Sequence, residues 1–239
     1  MPSDSQTLSE EILNLRRAVQ THIETSQLFG EDEIFGSSKE ARLNALYTRY
    51  ANCRNCPLSK SRNKIVFGMG SVNPEVLFIG EGPGYEEDRR GLPFVGRAGE
   101  LLDKILAAIS LSRQTVYIAN VVKCHPMKNP RRPDLRGNDR PPEPPEMEAC
   151  RPILEEQIEI LNPPLICALG STSAKALLRT EDGITKLRGR VFDFQFPKSG
   201  KIIPLIPTYH PAALLRNEIL KKDVWRDMKL LKTLIKTKP

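Results

Sequence analysis

A short apolar run, VLFI at 76–79, passes directly into GEGPGYEEDRRGLPFVGRAG at 80–99 and then into LLDKILAAI, whose apolar residues recur at helical spacing. That order of buried strand, glycine- and proline-rich loop and helix places the loop at the carboxyl end of a parallel strand in an α/β domain. Backbone N–H groups and helix N-termini face ligands at such an edge. The loop supplies Gly80, Gly82 and Gly84 for close backbone approach, Glu81, Glu86, Glu87 and Asp88 as carboxylates, and one ring, Phe94. Two phosphate-binding readings fail: Tyr85 stands where a G-x-G-x-x-G fingerprint needs its third glycine, and no G-K-[ST] follows. A phosphate cradle would also need fewer acids.

The rest of the chain repeats the strand and helix alternation without an internal repeat, which predicts a three-layer αβα domain with a central four-stranded, mostly parallel sheet. The expected strands are 75–79, 115–122, 165–169 and 202–207. The segments following the first, second and fourth then converge on one sheet edge. VFDFQF and the Pro-Lys-Ser-Gly turn after it read as a hairpin-like excursion, and Ser171 or Thr172 is placed to cap a helix. The last helix carries Val224, Met228, Leu231 and Leu234 on one stripe, with Trp225 expected in the core. Residues 1–36 are read as a helical extension and linker, with a stripe of Leu8, Ile12, Leu15, Val19 and Ile23. His22 there is expected to be a surface side chain rather than a ligand. The main domain occupies 37–239 and opens with a helix near Ser37 or Ser38.

Composition narrows the class of partner. A net charge of +7 favours a polyanion. No stretch approaches the ~18 apolar residues of a membrane span, and MPSDSQTLSEE lacks the basic and apolar regions of a secretory leader. A soluble, cytoplasmic protein is expected, so its five cysteines point to metal or redox chemistry rather than a disulfide framework.

Cys53 and Cys56 are spaced C-x-x-C, Cys124 follows the second strand, and Cys150 lies in an amphipathic segment. On ligand count this set suits a 4Fe-4S cluster or a zinc tetrahedron equally well. Cys167, inside LICALG, reads as a buried apolar residue. Between Cys124 and Cys150 runs HPMKNPRRPDLRGNDRPPEPPE, a loop carrying Lys128, Arg131, Arg132, Arg136 and Arg140. It is either a solvated surface or a phosphate-contacting element.

The loop at 80–99 resembles the first active-site motif of the family 4 uracil-DNA glycosylases, with its G-E-x-P-G, E-E-D-x and P-F-V-G-x-A-G elements in order. HPAALLRN at 210–217 resembles the second motif, and N-V-V-K-C at 120–124 and the upstream C-x-x-C fall in the family's order. The resemblance covers about residues 40 to 235; it leaves out the N-terminal segment, and the loop at 127–142 is longer than is usual in the family.

The resemblance implies a DNA-repair enzyme that removes uracil from single- or double-stranded DNA and leaves an abasic site, acting as a monomer beside the nucleoid of a prokaryote. It resolves the cysteine alternatives to a structural 4Fe-4S cluster on Cys53, Cys56, Cys124 and Cys150. It assigns Phe94 to stacking, Asn120 to the uracil edge, and His210 to the carbonyl oxygen that gains charge. Gly82 and Gly84 lend backbone groups, Glu81 positions water, and Glu87 lines the pocket against the thymine methyl. Leu214, Leu215 and Arg216 would enter the DNA, while Glu86 and Asp88 only open a helix.

A related group traps DNA covalently through the histidine of a K-R-R-I-H element. Here the corresponding loop has no histidine beyond His125, so turnover without trapping is expected. The competing readings are an iron-sulfur DNA-binding protein without turnover and a flavin or nucleotide oxidoreductase. The N-terminal helix is the candidate site for a protein partner.

Overall fold

The computed structural model describes residues 38–236. The chain divides into two units, Met1–Ser38 and Lys39–Pro239. The stripe expected at 8–23, the linker and His22 lie outside the described residues.

The strands are β1 (Met69–Gly70), β2 (Leu77–Gly80), β3 (Tyr117–Asn120), β4 (Ile166–Leu169), β5 (Phe192–Gln195) and β6 (Ile202–Thr208). They form one sheet in the order β1-β3-β2-β4-β6-β5. The four expected strands are its parallel centre. The sheet is six-stranded rather than four-stranded because an antiparallel strand is added at each edge. β1 has only two residues, too few for a periodic signal, and β5 is the first arm of the expected hairpin. The expected bounds shift by one or two residues, as strand ends do.

β2, β3 and β4 are buried along their whole length, which is why they read as continuous apolar runs. One face packs Leu77, Ile79, Tyr117, Ala119, Ile166 and Ala168 against α1 (Lys39–Tyr50), α4 (Pro144–Leu161) and α5 (Ser171–Leu178). The other packs Val76, Phe78, Ile118, Cys167 and Ile206 against α3 (Arg97–Ala108) and α8 (Lys221–Lys236). This is the three-layer α/β arrangement, and Cys167 is wholly buried in it. Shorter helices α2 (Tyr85–Arg90), α6 (Ile184–Leu187) and α7 (Pro211–Arg216) complete the chain order between these elements.

Two expectations about helices fail. Gly170, not Ser171 or Thr172, is the cap residue of α5. Trp225 is 46% exposed, because it stands one residue, about 100° of helix, from the Val224 position that faces the core.

Candidate active site

β2 has β3 on one side and β4 on the other, so successive crossovers leave it in opposite directions. A crevice opens at such a switch point, at the carboxyl ends of the strands. Gly80 at the end of β2 pairs with Asn120 at the end of β3. Beyond them Val121 N–H donates to Gly80 O at 3.0 Å and Val122 N–H to Glu81 O at 3.2 Å, which fixes the start of the loop.

A Cβ added at Gly80 would lie 2.4 Å from Asn120 Oδ1 and 2.8 Å from the Phe94 ring. Glycine is what lets the amide and the ring close over the strand end. Asn120 is buried, and its Oδ1 has no hydrogen-bond partner among the described residues. Leaving such an acceptor unpaired costs about 1–3 kcal/mol. Its natural complement is a donor brought by a ligand. The Asn120 carbonyl, by contrast, accepts from the buried Lys123 Nζ at 2.8 Å, and the same ammonium donates to Gln157 Oε1 at 2.6 Å. Burial pulls the Lys123 amine down to about 7.

Phe94 is buried with a φ of 52°. Left-handed backbone at a bulky residue costs about 1–3 kcal/mol and needs an external hold. Arg113 supplies one: its guanidinium donates to Pro93 O at 3.2 Å and to Phe94 O, and pairs with Asp103 Oδ1 at 2.7 Å. Gly99 supplies the other, because a Cβ there would stand 1.8 Å from Phe94 O. The ring so held faces His210, with centroids 5.4 Å apart and planes inclined by 32°.

His210 caps α7, its Nδ1 accepting from Ala212 N–H at 3.1 Å. That bond assigns the proton of the neutral ring to Nε2. Burial, helped by the Arg216 charge, pulls the imidazole down to about 4, so the ring is neutral at physiological pH.

The carboxylates divide differently from expectation. Thr172 Oγ1 donates to Glu81 Oε2, which ties the first loop to the start of α5. Glu87 accepts from Gly84 N–H at 3.2 Å, Val95 N–H at 2.8 Å and Gly96 N–H at 2.9 Å. It braces the two halves of the loop around Phe94. Glu86 pairs with Arg89 and Arg90 on the surface. Asp88 does more than open α2: it is fully buried and accepts from Asn63 N–H at 3.0 Å and Asn63 Nδ2 at 2.6 Å. Gly82 packs near Val122 and Pro126, and Gly84 is the cap of α2.

The expected DNA-facing trio also splits. Leu214 is buried in the core with Val224 and Met228, and is therefore not available to DNA. Leu215, about 100° further round α7, is 43% exposed, and Arg216 beside it is exposed.

Cys53, Cys56, Cys124 and Cys150 are free thiols gathered at one corner of the first core cluster. Cys124 feels the charge of Cys150 and Cys56, and Cys150 that of Cys56 and Cys53. Burial pushes the Cys124 thiol up to about 12 and raises that of Cys150. Arg62 Nη1 reaches Cys124 Sγ at 3.6 Å. Among the described residues no three His, Cys, Asp or Glu side chains already stand in ligating geometry. The donor set, four converging thiols with a guanidinium beside one of them, nevertheless suits a metal-sulfur group.

Arg113, Gly99, Thr172, Lys123 and Gln157 were not singled out by sequence reasoning. Lys123 sits within the N-V-V-K-C element, where a lysine amid apolar residues is itself a signal of a paired buried charge. Arg113, Thr172 and Gln157 carry none as site residues, since their partners are distant in sequence, whereas Gly99 closes the P-F-V-G-x-A-G element five residues after Phe94.

Comparison with known proteins agrees with this geometry. The model of the uracil DNA glycosylase superfamily matches residues 67–229. The type-4 uracil-DNA glycosylase of Thermotoga maritima is 40% identical over 202 residues, covering 83% of this chain and 97% of that protein. That of Archaeoglobus fulgidus is 38% identical over 182 residues, covering 74% and 85%, and that of Pyrobaculum aerophilum 40% over 190 residues, covering 78% and 91%. With matches that span most of its length, the chain belongs to the type-4 uracil-DNA glycosylases of the uracil DNA glycosylase superfamily.

Proposed function

We propose that this protein hydrolyses the N-glycosidic bond of deoxyuridine in DNA, releasing uracil and leaving an abasic site. The observation that carries the reading is the buried, unpartnered Asn120 Oδ1 beside a fixed ring and a neutral histidine. Uracil N3–H is the donor that this acceptor lacks, and the amide nitrogen complements the adjacent O4. Cytosine presents an acceptor at N3 and a donor at the neighbouring position, so it inverts the match.

The base reaches this pocket only after leaving the stack, and stacking on Phe94 offsets part of that cost. As the bond to C1′ breaks, electron density moves onto the base and collects at O2. His210 Nε2–H donates to that oxygen and, being neutral, holds it without a full charge to desolvate. Glu81, tied by Thr172 through one carboxylate oxygen, positions with the other the water that adds to C1′. The water's hydroxyl goes to the sugar and its proton neutralises the departing base. Glu87 and Arg113 act through Phe94 as positioning residues. Leu215 and Arg216 face the DNA from α7.

Cys53, Cys56, Cys124 and Cys150 are the residues that would hold a 4Fe-4S cluster, tying the segment at 53–56 to the chain after β3 and to α4. When bound it supplies structural order. Its removal is read by loss of visible absorbance and of thermal stability.

His125 is buried and its Nε2 lies 2.6 Å from Asp139 Oδ1, a carboxylate that already occupies that ring nitrogen. This supports turnover without a covalent adduct. The protein acts as a monomer on uracil-containing DNA, in the cytoplasm beside the nucleoid; among its described residues no helix is long and apolar enough to cross a membrane.

The test is incubation with a labelled oligonucleotide containing one uracil, followed by hot alkali, with a thymine oligonucleotide as control. Cleavage at uracil alone is expected. No cleavage by a folded, DNA-binding preparation would overturn the reading.

A further inference from the structure

The loop between Met127 and Arg140 is built around one side chain. Asn138 is 3% exposed; its Oδ1 accepts from Asn129 N–H at 2.8 Å, and its Nδ2 donates to Asn129 O at 3.0 Å and Arg132 O at 2.9 Å. Lys128 N–H donates to Asn138 O at 2.9 Å, Leu135 N–H to Arg132 O at 3.1 Å, and Met127 pairs with Asp139 in an isolated bridge. The loop is therefore folded on itself rather than trailing in solvent.

Its base is tied down separately. Arg140 forks onto Glu146 at 2.8 and 2.6 Å, and also donates to Met127 O. Asp139 meets the buried His125 and lies 3.9 Å from the position a Cβ on Gly84 would take. Gly84 belongs to the first active-site loop, so the basic loop rises at the mouth of the base pocket.

The cations are used unequally. Arg140 is consumed by Glu146. Arg131, Arg132 and Arg136 are exposed. Arg132 lies 3.5 Å from Asp134, and Arg131 and Arg136 have no carboxylate partner among the described residues. A merely solvated loop would not need a buried asparagine to fix its shape. A pre-ordered set of guanidinium groups loses little conformational entropy on meeting phosphates, and guanidinium matches phosphate in geometry as well as charge.

We infer that the 128–136 loop is a pre-formed clamp for the DNA phosphate backbone beside the base pocket, with Arg131, Arg132 and Arg136 as its contacts. The inference rests on the reading of the protein as one that acts on DNA. It concerns sequence-independent grip, and leaves base recognition to the pocket.

The experiment measures binding to a fluorescent duplex that contains thymine and no uracil, over a series of salt concentrations. The variants are Arg131→Ala/Arg132→Ala/Arg136→Ala and the matching triple lysine protein. Each phosphate contact contributes about 0.9 to the slope of log K against log salt on duplex DNA. The alanine protein is expected to lose about 2.7 from the slope and the lysine protein to keep it. An unchanged slope in the alanine protein overturns the inference, and so does a lysine protein that behaves like the alanine one. Because the duplex carries no uracil, failure of the wild-type protein to excise uracil would sink the glycosylase reading while leaving this comparison intact.

Discussion

The base pocket and the cysteine corner are both reached from the end of β3, four residues separating Asn120 from Cys124, yet they are finished in different ways. The pocket is completed by the chain itself. Arg113 and Gly99 force Phe94 into left-handed backbone, Ala212 sets the His210 tautomer, and Lys123 secures the Asn120 carbonyl. The cysteine corner gathers its thiols without joining them, and burial holds the Cys124 and Cys150 protons on. The first site is closed by contacts within the chain, and the corner is a set of thiol donors not bonded to one another. Damage to the first is therefore expected to fall on chemistry, and damage to the second on folding.

The largest effect should come from the group at the charge-bearing oxygen. His210→Ala is expected to lower single-turnover excision about 10²–10³-fold, the usual cost of one oxyanion donor, without bleaching the protein. Cys150→Ser should do the reverse, abolishing visible absorbance and lowering Tm, with residual excision following the folded fraction. If both variants lose colour and activity together, the two regions are not separable.

Smaller effects probe how the ring is held. Gly99→Ala drives a methyl into Phe94 O and should cost about 1–3 kcal/mol of stability, read by denaturant melting. Arg113→Ala should reduce excision about tenfold, the equivalent of roughly 1.4 kcal/mol, with Arg113→Lys recovering part of the loss. A purely structural arginine would change melting and leave the excision of folded protein untouched.

The pH dependence separates the pocket from an ordinary surface histidine. The folded pKa of His210 is depressed from 6.5 to about 4, so the unfolded chain binds the extra proton in between. Its contribution to stability is complete above pH 6.5 and declines as pH falls towards 4. Within folded protein the neutral donor persists over the same window. Single-turnover excision should thus stay flat from neutrality down through the ordinary histidine range and decline only near pH 4. A limb at pH 6.5 would show that His210 titrates as an exposed imidazole. Trp225→Ser should have the least effect, within about 0.5 kcal/mol, since the residue lies outside the core stripe.

Much of this was legible in the sequence where local pattern determines the outcome. The central strands are apolar runs because both faces are covered, and Asn120 and His210 stand at strand ends, which parallel topology gathers on one edge. What was hidden depends on distance or facing. Thr172 meets Glu81 across 91 residues, and nothing local marks a threonine three residues after a strand as a carboxylate partner. Leu214 and Leu215 look alike in HPAALLRN, but a single residue step, about 100° of helix, sends one into the core and the other to the surface. Asp88 opens a helix, as acids do, and only the packed chain shows Asn63 docked on it. The glutamates are the clearest case: the loop sequence supplies the acids, and only the folded chain shows Glu87 accepting from the backbone N–H groups of Gly84, Val95 and Gly96.

The most direct test of a self-completed pocket is the single-turnover rate of Asn120→Ala on a uracil-containing oligonucleotide at saturating protein. The account predicts a fall of at least about 100-fold, with colour and melting temperature retained. A rate within about twofold of wild type would mean that the unpartnered amide does not read the base, and the central claim would fail.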